Sequence, residues 1–274
     1  MKKALLPVLV FVVMQALVGI IAAPFLMILN ANVQSAVGAT VLGITVILSG
    51  LATFLICWKG LKMIEFPETF DFSVINWKWA AVAIVASILG MAAANFLSEI
   101  INLPNTIEDL VLSLSHNFWG VLAVAVVGPI IEELIFREGI CGYLIRNGAN
   151  VWKSIWISSI LFAVIHFNPA QIAFALPMGI ILGIIYAKTG NIVVCSIIHI
   201  LNNSISIIQV WALGDNVLEF SGVEWVGGIY AAGACIIVGT AGCAYLLRKF
   251  WESKEVTIVQ EVTEDYETRD NYQR

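Results

Sequence analysis

Four ionisable side chains fall within seven residues of an otherwise apolar run. They are Glu132, Glu133, Arg137 and Glu138 in Gly128-Pro129-Ile130-Ile131-Glu132-Glu133-Leu134-Ile135-Phe136-Arg137-Glu138. A charged group inside hydrocarbon costs about 2.5–3.5 kcal/mol on insertion scales, so such a cluster points to function rather than packing. Glu133 and Arg137 stand four positions apart, share a helical face and can pair. Glu132 is turned about 100° away and is left to face a cavity. Pro129 supplies no N–H and is expected to kink or loosen the helix, which would admit water. Two of the three histidines lie in later apolar runs: His166, and His199, which shares a face with Asn203 four residues on.

These groups suit hydrolysis of an amide. The reaction needs an activated water and donors for the oxyanion that develops. A carboxylate taken out of water becomes a better base near neutral pH. Glu132 can take the proton, His166 can orient the water, and His199 and Asn203 can donate to the carbonyl oxygen. No Ser or Cys stands out as a nucleophile. Depth supports the grouping at 1.5 Å per residue: Glu132 lies ~21 Å from Arg146, His166 ~20 Å from Lys153, His199 ~16 Å and Asn203 ~22 Å from Lys188. Taken singly, an intramembrane His or Asn often serves only as glue between helices. Gln15 reads as such glue, Glu99 as interfacial and His116 as incidental.

The elements that must position this set are membrane helices. The chain has 274 residues, 60% hydrophobic and 12% charged, with mean hydropathy +0.92. Soluble domains average about 25% charged residues, so a soluble enzyme, a disordered chain and a nucleic-acid binder are excluded. Eight apolar stretches occur at 4–29, 36–58, 79–102, 118–146, 151–167, 170–187, 191–213 and 224–247. The first is too long for a signal peptide's apolar region and reads as a retained helix. The spacing predicts an all-α, polytopic membrane protein of about eight transmembrane helices. With the N-terminus inside, thirteen Lys and Arg fall in cytoplasmic segments and none in outer loops, leaving Arg137 within a helix. Both termini are therefore expected in the cytoplasm of a multi-pass cell-membrane protein. Residues 1–251 read as the helical domain and 252–274 as an acidic, disordered tail carrying seven acidic and three basic side chains of the net −5. The five cysteines sit in apolar runs and form no metal or disulfide pattern.

Three motifs make a resemblance specific. EELIFR at 132–137, FAVIH at 162–166 and HILNN at 199–203 are similar to the EExxxR, FxxxH and HxxxN motifs of the CPBP intramembrane endopeptidases. That family includes CAAX prenyl proteases and bacteriocin-processing or self-immunity proteins. The resemblance covers roughly 118–205. It implies a helical bundle around a mid-membrane cavity, with Glu132 as the water-activating base and His166 as its partner. It further implies an oxyanion hole of His199 and Asn203, and Glu133 and Arg137 in support. The family has been described both as metalloproteases and as metal-independent glutamate proteases. Two Glu and two His could hold Zn²⁺, but a fixed Glu133–Arg137 pair leaves fewer ligands, so a metal-free, cofactor-free site is favoured.

The expected function is intramembrane endoproteolysis of a membrane-associated substrate, either a CAAX-like lipidated protein or a bacteriocin or leader peptide. Membrane lipids and that peptide are the expected partners, and nucleic acid is not. Two other classes stay open: a self-immunity protein that acts by binding a bacteriocin, and a proton-coupled transporter, since intramembrane Glu and His also serve as relays.

Overall fold

The computed structural model describes residues 2–29, 31–32 and 35–256. Among them seven helices are long and apolar enough to cross a membrane: α1 (Lys3–Ile28), α2 (Ala36–Gly60), α3 (Trp77–Ile101), α4 (Phe118–Arg146), α6 (Pro169–Thr189), α7 (Ile192–Leu213) and α8 (Ile229–Glu252). The fifth apolar stretch forms only a short helix, α5 (Val151–Val164). At 14 residues it spans about 21 Å, less than the ~30 Å of a hydrocarbon core. The expected eight crossings are thus seven full-length helices and one that stops part-way. The protein is a polytopic, all-α membrane protein.

Asn residues start many of these helices, because their side chains accept the first unpaired N–H groups. Asn76 accepts from Trp79, Asn117 from Trp119 and Gly120, Asn150 from Lys153 and Asn191 from Val193. Packing between the helices relies on small residues, as membrane interiors favour. α3 buries Ala80, Ala83, Ala86, Ser87, Ala93 and Ala94. Gly239 of α8 lies so close to α3 that a Cβ there would sit 2.8 Å from the Leu89 carbonyl oxygen. One apolar cluster is built mainly by α3, α6, α7 and α8, and a second joins α4 and α5 to α1. Elsewhere large apolar side chains such as Ile20, Ile28 and Ile237 point outward, where only lipid would cover them.

Two polar clamps tie the ends of the bundle. Glu99, read as interfacial, accepts from the Ser221 hydroxyl at 2.6 Å and the Val223 N–H at 3.1 Å, pinning the short helix Gly222–Trp225 to α3. At the other end of α3, Glu255 accepts from Trp79 Nε1 at 3.0 Å and Asn76 Nδ2 at 3.2 Å. These donors, Trp79 foremost, with Lys78 beside them, hold the Glu255 carboxyl below the usual carboxylate range. The start of the expected tail is therefore docked. Residues 257–274, which carry most of it, lie outside the described residues.

Candidate active site

α4 carries the centre of the site and is not a regular α-helix. Residues Leu122–Val127 and Glu133–Gly142 are wound as wide π-helical turns around a short α-helical stretch, Gly128–Glu132. Such turns are rare and occur often at functional sites. Pro129, expected to loosen the helix, does so in a specific way. The Gly128 N–H bonds to the carbonyl of Ala123, five residues back. The next donor in that ladder would be residue 129 to Val124, but proline has no N–H. The Val124 carbonyl is thereby left for another donor, and Asn203 Nδ2 of α7 takes it at 2.8 Å. Asn203 Oδ1 in turn accepts from Asn202 Nδ2 at 3.1 Å. A primary amide has two N–H donors, so Asn203 is held in place and, among the described residues, keeps one donor without a partner.

The two neighbouring carboxylates have separate surroundings. Glu133 and Arg137 are fully buried, and Arg137 Nε lies 2.9 Å from Glu133 Oε2. The contact is close but bent, without aligned hydrogen-bond geometry. Glu133 Oε1 lies 2.9 Å from His199 Nδ1. With a carboxylate facing Nδ1, that nitrogen carries a proton and the other ring nitrogen is turned away from Glu133. His199 Nε2 faces Glu132 Oε2 at 3.7 Å, and Glu132 retains 22% of its side-chain exposure. The structure therefore brings Glu132, Glu133, Arg137 and His199 into one cluster, with Asn203 one helical turn beyond His199.

α5 ends at Val164, and His166 lies in the following turn, just before the left-handed Phe167. Its Nδ1 lies 2.9 Å from the Phe162 carbonyl oxygen. Among the described residues no ion pair joins His166 to Glu132; the imidazole beside Glu132 belongs to His199. Phe162 links the two histidines: its ring meets His166 edge-on at 5.2 Å and His199 at 5.7 Å. The Arg137 guanidinium also lies 4.8 Å from the Phe162 ring centre, within cation–π range. Phe162 was legible as a motif letter four residues before His166, but a phenylalanine in an apolar run gives no sign that it is a hub.

A second polar group is less visible in sequence. Glu138, fully buried, accepts from Arg146 Nη2 at 2.7 Å, from the Glu65 N–H at 3.1 Å and from the Tyr186 hydroxyl. It ties the loop after α2 to the wide turn that carries Glu133. Glu65, whose carboxylate meets Arg146 Nε at 3.0 Å, has its pKa raised by partial burial, against the lowering effect of Arg146. Among the described residues no three His, Cys, Asp or Glu side chains converge as a metal site requires. Both oxygens of Glu133 already face Arg137 and His199.

The described residues set this acid–imidazole–amide cluster within a polytopic membrane bundle, and comparison with known proteins narrows the class. Residues 114–205 match the model of the family described as type II CAAX prenyl endopeptidase, Rce1-like, the same stretch that carries the three motifs. Over 113 residues the chain is 29% identical to the putative membrane peptidase YdiL of Bacillus subtilis (strain 168), covering 40% of this chain and 46% of that protein. Over 110 residues it is 32% identical to the membrane-embedded CAAX protease MroQ of Staphylococcus aureus (strain USA300), covering 38% and 44%. The match thus spans less than half the length of these relatives. No solved structure matches.

Proposed function

We propose that the chain is an intramembrane endopeptidase in which Glu132 activates a water for attack on a peptide bond. The observation that carries this reading is the 3.7 Å gap between Glu132 Oε2 and His199 Nε2, a spacing that lets both groups face one water. Glu132 takes the proton. Glu133 and Arg137 hold the His199 ring so that its Nε2 faces the water from the side opposite Glu132, and the free N–H of Asn203 donates to the oxyanion. His166, held just past the end of α5 with Nδ1 against the Phe162 carbonyl, orients the water. The occupied oxygens of Glu133 favour a metal-free route. The family match and the relatives favour a peptide or lipidated protein in the membrane as substrate, with both termini cytoplasmic as the Lys and Arg distribution implies.

Purified protein in liposomes, given quenched-fluorescent peptides, should cleave them equally well before and after treatment with a strong chelator. Loss of cleavage on chelation, restored by Zn²⁺, overturns the metal-free route. Proton flux without cleavage would favour the relay reading instead. Pro129→Ala gives a finer check. It restores a donor to the Val124 carbonyl and so competes with Asn203. The expected result is a fall of about tenfold in kcat, the scale of one weakened oxyanion donor, with KM and thermal stability little changed.

A further inference from the structure

Beside the site, α3 and α7 part around a cavity of about 340 Å³ whose walls include Phe174 and Ile198. The cavity is open to the side, where a membrane protein meets lipid, yet its lining carries four polar side chains: Asn95, Asn202, Ser206 and Gln209. Asn95, Ser206 and Gln209 are exposed and Asn202 is half-buried. Among the described residues neither Asn95 nor Gln209 has a hydrogen-bond partner, and Ser206 donates only weakly to its own helix, to the Asn202 carbonyl at 3.4 Å. Polar side chains in a membrane segment normally face a partner or a water-filled space. Here they form a row along one face of α7, with Asn95 opposite, and nothing in the fold accounts for it.

The chemistry of the row selects its occupant. An acyl chain offers no donor or acceptor. A regular transmembrane helix has already used its backbone groups internally. An extended peptide in the same place has N–H and C=O groups that hydrocarbon leaves unsatisfied. Asn202, Ser206 and Gln209 are spaced ~6 Å and ~4.5 Å along α7, near the ~6.7 Å at which an extended chain repeats its groups on one side. The inner end of the row is continuous with the site, since Asn202 donates to Asn203 at 3.1 Å.

We propose that this groove binds an extended stretch of the substrate beside the bond to be cut, its backbone read by the amides of Asn95, Asn202 and Gln209 and by Ser206. The inference rests on the peptidase reading above and deepens it. Recognition of backbone rather than side chains makes the groove tolerant of sequence, so a generic probe suffices.

The test uses the full chain in liposomes and a dansyl-labelled peptide of leucine and alanine. Binding is measured in the parent and in Glu132→Gln, which removes turnover. The combined Asn95→Leu and Gln209→Leu variant should weaken binding about tenfold, the scale of two lost hydrogen bonds. The combined Asn95→Gln and Gln209→Asn variant should recover most of it, which separates lost contacts from lost folding. A version of the peptide locked as a helix by aminoisobutyric acid should bind the parent less tightly than the flexible one. Equal affinity for the apolar variant overturns the proposal. So does tighter binding of the helical peptide, which would mark a helix or a second copy as the occupant. Displacement by added phospholipid that ignores the amides would mark an acyl chain and overturn it as well. Amide-dependent binding in a protein that never cuts would leave the groove standing and remove the peptidase reading; cleavage with an amide-independent KM does the reverse.

Discussion

Glu132→Gln should lower the rate of peptide cleavage by about 10²–10⁴-fold, the range that a positioned general base contributes. The substitution keeps the shape of the side chain and its ability to hydrogen-bond, but the amide accepts no proton from water at neutral pH. Glu132 is suited to such a test because the bundle does not depend on it. It keeps 22% of its side-chain exposure and faces the His199 ring at 3.7 Å, whereas Glu133 carries the buried ion pair. Thermal unfolding in detergent should therefore stay near the parent value while turnover disappears. KM should change little, since the peptide is held elsewhere. Cleavage surviving at more than a tenth of the parent rate would remove Glu132 from the base position. His166→Ala should fall less steeply, because His166 touches no carboxylate among those that surround His199.

The helical architecture was legible because hydrocarbon imposes it: long apolar runs have no other way to satisfy their backbone groups. The pairing of Glu133 with Arg137 was legible for a similar reason, since four residues along a helix fix a neighbour whether the winding is regular or wide. What sequence could not supply was rotation. Matched depth placed Glu132, His166, His199 and Asn203 at one level, but depth alone cannot say which imidazole turns toward which carboxylate. The wide turn from Glu133 onward and the early end of α5 at Val164 decide that in favour of His199. Both depend on packing across helices. The same holds for Pro129: a kink was foreseeable, but its result, a carbonyl released at Val124 for Asn203, needs α7 to be alongside.

Removing the guanidinium of Arg137 should be the most damaging single change to the fold. Arg137 and Glu133 are both fully buried, and deleting one partner of a buried pair typically costs about 3–5 kcal/mol because the other charge is left behind. Arg137→Met preserves length and apolar bulk, so the loss it produces is that of the charge. It leaves Glu133 with the His199 ring as its remaining partner. The expected result is a sharply lower unfolding temperature in detergent and little intact protein in membranes. Combining Arg137→Met with Glu133→Gln should recover much of the stability, since the stranded charge is gone and the Gln oxygen still accepts from His199. Activity should not recover with it, because the Arg137–Glu133 pair that holds the His199 ring beside Glu132 is gone. Arg137→Lys should fall between. It keeps the charge, but loses the flat group that lies 4.8 Å from the Phe162 ring and whose Nη1 reaches the Ser158 hydroxyl at 3.4 Å. An Arg137→Met protein as stable as the parent would mean that the pair is already solvated, and the division of labour between the two neighbouring glutamates would have to be drawn again.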